Sequence, residues 1–402
     1  MECTPAAAAP ATTTPVTLSS LLAAFAAVQE PRRAASVTYP LAALLALAMT
    51  AILANQHSVL AIAQWAARQK AAVLGPLGLQ PGHTPCQSTF QRLFAKLDGD
   101  SLSAAVQAAL APAAPADPTV RGGQAVAIDG KAQRGRLRFQ AGGCPVHALT
   151  AFCHERGVVL AEEPIEPSQG VEKSEAELTV APALIDRLDW HGRVLTADAL
   201  LCQRAICQRM VDAGGDYVLV VKDNQPTLAA DLQLLFDPPT PALPLSDRRE
   251  AHTLERGHGR DQERRQLIAS TDLTGYLDWP GVAQVFRLQR TWREHGVGKR
   301  ALHYGITSLP PGAADADRLL RIRRGHWSIE NQLHYPKDVS MGEDQSLVHA
   351  GQGPTVLALL RDSALSLLRL MGCRTIASRL RALADDPAEA LALVTTPIPA
   401  RA

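Results

Sequence analysis

A chain of 402 residues with 47% hydrophobic and 20% charged side chains holds enough apolar material for two or three packed domains, which sets aside disordered and fibrous classes. Lys and Arg number 40 against 39 Asp and Glu, so the +1 balance creates no chain-wide field for nucleic acid, and any such contact has to come from local clusters. Seven cysteines without a C-x-x-C pair argue for a reducing compartment and against a disulfide framework.

Residues 1–17, rich in Ala, Pro and Thr, lack the basic start of a secretory signal and are expected to be a disordered tail. Residues 18–110 read as a helical N-terminal domain suited to DNA contact or protein pairing. In it Pro40 opens Leu41–Ala54, Ser58 precedes Val59–Lys70 with Trp65, and Ser88–Leu97 presents Arg92 and Lys96. The apolar run Leu41–Ile62 is interrupted by Asn55, Gln56, His57 and Ser58 before twenty apolar residues accumulate, so it is a core helix pair and not a membrane span. A Pro-rich linker, Ala111 to Pro118, closes the region.

Strands follow at Gln124–Ile128, Val146–Cys153 and Val158–Ala161, then a helix at Ser174–Leu188 and a strand at Arg193–Thr196. A helix ending near Ala213 and a strand at Tyr217–Val221 complete the series. This mixed α/β order is that of a ribonuclease-H-like sheet, and it predicts a first core segment at 120–236. Residues 237–311 alternate polar and apolar with frequent Arg and read as an inserted β-rich subdomain. The core returns at 312–385, with helix over Asp315–Tyr335 and Thr355–Met371, and Ile376–Leu383 ending the ordered part. Basic residues cluster at Lys131, Arg134, Arg136 and Arg138, at Arg248–Arg265 and at Arg287–Arg300, as phosphate-facing patches or as plain solvated faces.

Three acids stand out by position. Asp129 ends the first strand before Gly130, Asp198 lies just past the fourth strand, and Glu330 sits on a late helix. Carboxylates converging without Cys ligands form a hard oxygen site suited to Mg²⁺ or Mn²⁺, and two such ions about 4 Å apart can activate a nucleophile and stabilise the leaving oxygen of a phosphodiester. If Arg323 to Lys337 is one helix, Arg323, His326, Glu330, His334 and Lys337 share a stripe; a solvated, salt-bridged face reads the same. One zinc ion cannot take both His326 and His334, which lie about 12 Å apart along such a helix, so these imidazoles are expected to touch DNA phosphate or a triad carboxylate. Trp327 is expected in the core, and Trp292 is a candidate to stack on an unpaired base. Cys144, His147, Cys153 and His154 fit no zinc spacing.

Several segments point to one family in order: Y-P-L-A-A-L-L-A-L-A (39–48), A-I-A-Q-W (61–65), A-I-D-G-K (127–131), T-A-D-A-L (196–200) and G-G-D-Y-V-L-V-V-K-D-N-Q-P-T-L (214–228). Next come E-R-G-H-G-R (255–260), H-Y-G-I-T-S-L (303–309), R-G-H-W-S-I-E-N-Q-L-H (324–334) and D-V-S-M-G-E-D (338–344). From about Tyr39 to Leu380 the chain resembles the DDE transposases of bacterial insertion sequences, of the ISAs group that includes the H-repeat-associated proteins. The resemblance implies a catalytic triad of Asp129, Asp198 and Glu330 on a ribonuclease-H-like core, working with Mg²⁺ or, in its place, Mn²⁺. It further implies double-stranded DNA as partner (element ends and target), at least a homodimer on DNA, no membrane, and a cytoplasmic, nucleoid-associated place. Lys131, Arg324, His326 and Lys337 are the candidate DNA contacts. Two departures stand against the family pattern. Pro336 is expected to push Tyr335 out of helical geometry and turn Lys337 elsewhere, and Asp223 replaces a usual Gly. A cleavage-dead DNA-binding remnant and a stand-alone nuclease remain as alternatives.

Overall fold

The computed structural model describes residues 19–132, 147–165, 173–238, 244–257, 260–294 and 296–398. The expected N-terminal tail, Cys144, and Arg134, Arg136 and Arg138 lie outside them.

The N-terminal part is helical: α1 Leu21–Ala26, α2 Leu41–Leu53, α3 Val59–Ala67, α4 Ala71–Leu74, α5 Gln87–Lys96 and α6 Gly99–Leu110. Ser20 and Ser58 cap α1 and α3 by accepting from the third backbone N–H onward, the role their short hydroxyls suit best. Only Ala42 of α2 is not buried, and a helix apolar on every side has to be surrounded. Its cover comes from both ends of the chain. Three late helices, α11 Gly353–Leu370, α12 Ile376–Asp385 and α13 Pro387–Thr395, join α1, α2 and α6 in one apolar cluster that also reaches the sheet. The early helices therefore share a core with the rest of the chain. Ordered structure also continues past Leu383, where it was expected to stop, because Asp386 caps α13 through the Glu389 N–H. Among the described residues no helix is long and apolar enough to cross a membrane.

The sheet comprises β1 Gln124–Ala132, β2 His147–Cys153, β3 Val158–Ile165, β4 Arg193–Ala197, β5 Asp216–Val221, β6 Arg249–Gly257, β7 Arg260–Ser270, β8 Gln284–Glu294 and β9 Val297–Thr307. Their spatial order is β3-β2-β1-β4-β5-β9-β8-β7-β6. β1, β4 and β5 are parallel, β2 runs against them, and β3, antiparallel to β2, runs in their sense again. Helices α7 Lys173–Asp186 and α8 Arg204–Asp212 make the crossovers that parallel neighbours require. α9 Pro226–Phe236 follows β5. β5 is buried throughout, as its unbroken apolar run demands. The stretch expected as an inserted β-rich subdomain supplies β6 to β9, which continue this sheet. β9 pairs antiparallel with β5 from Val218↔Thr307 to Val221↔Tyr304, which covers an edge that would otherwise be open. In the β1–β4 pairing the last partners are Ala127 and Thr196, so Asp129 and Asp198 each stand two residues further along at one edge.

The segment bearing Glu330 is not one regular helix. α10 Ala316–Gly325 is capped by Asp315 and breaks at His326 and Trp327. Two π-helical stretches follow, Glu330–His334 and Pro336–Ser340. Tyr335 keeps helical angles (φ −59, ψ −47), contrary to the expectation drawn from Pro336. The missing Pro N–H and the bulk of its ring are accommodated by widening: Tyr335 N–H reaches back to Glu330 O, and Met341 N–H to Pro336 O.

Beneath these turns lies a buried charge cluster. Lys337 Nζ donates to Asp362 of α11 at 2.8–2.9 Å and stands 3.5 Å from Glu343; Arg361 approaches Glu343 at 3.6 Å and donates to His57 O in the α2–α3 loop. Burial works against the Lys337 charge, but Asp362 and Glu343 outweigh it and push its pKa up. Burial likewise opposes the Glu343 charge and is outweighed by Lys337 and Arg361, which hold the carboxyl below its usual range. Glu162 of β3 is the exception: burial, then the neighbouring Asp362 charge, push its carboxyl well above the usual 4.5. With Glu162 pushed toward its neutral form, Lys337 and Arg361 face Asp362 and Glu343, and Lys131 stands 3.7 Å from Glu343.

A carboxyl raised on folding contributes stability that is complete below its unfolded value and is lost as pH rises toward the folded one. Glu162→Gln removes that dependence. Melting of wild type and Glu162→Gln should therefore diverge in favour of the variant as pH rises above the ordinary carboxylate range; a gap independent of pH would contradict a raised Glu162.

Candidate active site

Asp129 is at the end of the buried part of β1, where the side chains turn from fully to partly covered. The Gly130 N–H donates to Asp129 Oδ1 at 3.0 Å, and the Glu177 carboxyl of α7 fills the space that a β-carbon at Gly130 would take. From the other side of the fold the first π turn presents Glu330 and His334. His334 Nδ1 lies 3.2 Å from Glu330 Oε2 and 3.6 Å from Asp129 Oδ2. One donor atom from each of Asp129, Glu330 and His334 falls within 4.8 Å of the other two. The imidazole is buried (side chain 5% exposed), while the Asp129 and Glu330 carboxylates remain 37% and 50% exposed, so the group opens to solvent on its acidic side. Hydrogen bonding to His334 lowers the Glu330 carboxyl, more than burial raises it, and the Lys131 charge adds to the effect.

Asp198 is exposed on the neighbouring strand end and caps the short turn Ala199–Leu201 by accepting from the Leu200 N–H at 2.9 Å. It is not among the three residues whose donor atoms converge, though the strand register places it at the same edge. Arg323 of α10 is near enough for the Asp198 charge to offset part of the burial that lowers its guanidinium to about 10.

The expected DNA contacts divide. His326 is buried, with Nδ1 3.2 Å from Thr196 Oγ1, and His154 Nε2 meets the same hydroxyl at 3.0 Å. Burial drops both imidazoles to about 3, and both pack on the Thr196 hydroxyl of β4. Gly325 belongs to this packing, since a β-carbon there would stand 2.5 Å from His154 Nδ1. Lys337 is buried in the charge cluster and does not reach the surface. Lys131 Nζ donates to both Asp338 oxygens at 2.7 Å, and Arg324, 39% exposed, pairs with Glu255 of β6. Trp327, expected in the core, is 62% exposed because the break at His326 turns it outward, and Tyr335 is exposed on the same segment. Trp292 lies half-buried under the Arg290 guanidinium, 4.6 Å from the ring centroid.

Residues 124–367 match the family described as the transposase DDE domain, and residues 22–109 match the region associated with that domain. The chain belongs to the DDE transposase family. It is 30% identical over 256 residues to YncI, a candidate transposase of Escherichia coli O157:H7, across 61% of this chain and 62% of that protein. It is 28% identical over 253 residues to YhhI, an H-repeat-associated candidate transposase of Escherichia coli K12, across 60% of this chain and 63% of the other. The chain thus spans somewhat under two thirds of the length of these relatives. The piggyBac transposase synaptic complex with hairpin DNA superposes at a TM-score of 0.42 and 9% identity, over 92% of this chain and 78% of that one, too loosely to bear on the fold. Family members of this kind typically use divalent metal, and two carboxylates with an imidazole make a donor set that a divalent cation fits.

Removing one partner from a buried ion pair leaves the other charge unmatched, at a cost of about 3–5 kcal/mol. Lys337→Met should lose stability of that order in a denaturant titration. A loss under about 1 kcal/mol, the value of an exposed pair, would return Lys337 to the surface and to DNA.

Proposed function

We propose that this chain is an insertion-sequence transposase that binds the ends of its element, cuts the 3′ strand and joins it to target DNA. The observation that carries the reading is the convergence of Asp129 and Glu330, 201 residues apart in the sequence, at one sheet edge beside His334. Supporting it is the strand order β3-β2-β1-β4-β5 with its parallel and antiparallel senses, which is that of a ribonuclease-H-like core.

In this reading Asp129, Asp198 and Glu330 hold divalent ions, Mg²⁺ or Mn²⁺, which when bound supply Lewis-acid stabilisation of charge on the phosphodiester oxygens. The protein orients the scissile phosphate at the strand edge. Water first attacks the phosphorus and the 3′ oxygen leaves with a proton; that 3′-hydroxyl then attacks a target phosphodiester, displacing a second 3′ oxygen. Bond count is conserved in the joining step, so no energy source is required.

Duplex DNA is gripped through its phosphates. Arg256, Arg264, Arg293 and Arg300 lie by register on one face of the four-strand extension, all exposed; the first three have no ion-pair partner among the described residues. Handling two ends at once calls for at least a dimer on DNA, in the cytoplasm at the nucleoid.

Labelled element-end DNA with Mg²⁺ or Mn²⁺ tests the proposal, with wild type beside Glu330→Gln and Asp198→Asn. Wild type should nick and join, and each variant should fall by ~10³-fold, equivalent to about 4 kcal/mol of transition-state stabilisation. Binding without cleavage by wild type would indicate a remnant, and nicking without joining a stand-alone nuclease.

A further inference from the structure

We infer that His334 is itself a metal ligand, so that the centre is built from an imidazole nitrogen as well as the carboxylates of the triad. The inference rests on the transposase reading and adds a donor to its site.

The separations argue for it. A charge-assisted hydrogen bond between an imidazole N–H and a carboxylate closes to about 2.7–2.9 Å. His334 Nδ1 makes a long hydrogen bond of 3.2 Å with Glu330 and stands 3.6 Å from Asp129, so both contacts are longer than that. Adjacent donors on an ion with bonds of about 2.1 Å stand about 3 Å apart, and opposite donors about 4.2 Å. The three donor atoms, all within 4.8 Å of one another, have that kind of spacing.

The surroundings fix the ring. His334 is 4% exposed and belongs to a π turn whose next turn is anchored through buried Lys337, so Nδ1 is preset toward the two acids. Glu330 and His334 come from the same turn, four residues apart, while Asp129 comes from β1. The other imidazoles near the edge, His154 and His326, are occupied with Thr196. A nitrogen donor in an oxygen set weakens the preference for Mg²⁺ and favours Mn²⁺ and later first-row ions.

Pulsed electron paramagnetic resonance of full-length protein loaded with Mn²⁺ reads the ligand directly, without any activity measurement. Wild type should show nitrogen modulation from one imidazole, and growth on ¹⁵N-histidine should change its frequencies. His334→Gln should lose the modulation and weaken Mn²⁺ binding by about tenfold or more. The isotope experiment uses wild type, so it stands even where the variant fails to fold. Mn²⁺ bound without histidine modulation overturns the inference, and so does modulation that persists in folded His334→Gln. Absence of Mn²⁺ binding overturns it too. End joining in Mg²⁺, measured on the same preparation, then shows whether the transposase reading survives: joining without a nitrogen ligand refutes His334 alone, and neither joining nor a nitrogen ligand refutes both.

Discussion

The interaction on which the rest depends is the buried pairing of Lys337 with Asp362 and Glu343. Taking such charges out of water costs several kcal/mol each, and only close, balanced partners offset that cost. Here Lys337 and Arg361 face Asp362 and Glu343, and burial beside Asp362 pushes the Glu162 carboxyl toward its neutral form. These groups come from β3, the second π turn, the turn after it and α11, and Arg361 reaches the α2–α3 loop through His57 O at 3.1 Å. No one element can shift without leaving a charge unmatched. That specificity, more than net stability, is what such a cluster confers on the segment holding Glu330.

From that anchor the site follows. The parallel pairing of β1 with β4 sets Asp129 and Asp198 side by side at one edge. The π segment is laid across the edge by Lys337 underneath and by His326 packed on Thr196, which itself belongs to β4. Acid positions on rigid strands and on a pinned turn suit a reaction in which the protein mainly orients the phosphate and places opposing charge. The early helices take part as bracing, since they bury α2 against the same late helices that hold Asp362.

Much of this was legible in the residues. The apolar run ending in Asp129-Gly130 marks a strand end, and the mixed α/β character of the chain was readable from its order of strands and helices. The family-like motif around Glu330 located the late acid. What escaped a local reading depends on partners far away in the chain. Lys337 looks like a surface base until Glu343 and Asp362 are seen to surround it. The pairing of β9 with β5 has no signature in either strand, because an edge accepts any register its hydrogen bonds permit. Pro336 was visible, but whether a helix breaks or widens at proline is decided by what packs beneath it. Trp327 looked like core material, and the turn at His326 put it outside. The signal for α13 was present, with Asp386, Pro387 and Glu389 forming an N-terminal cap pattern.

The central claim is that three chain-distant segments meet at one metal site. Loading the protein with Fe²⁺ and adding ascorbate and peroxide produces radicals that cut the backbone beside the ion, and the fragments can be sequenced. Cuts clustered at Asp129, at Asp198 and at Glu330–His334, suppressed by excess Mn²⁺, are the predicted result. Cutting that spares the Asp198 or Glu330 segment, or that competing Mn²⁺ leaves unchanged, would contradict it.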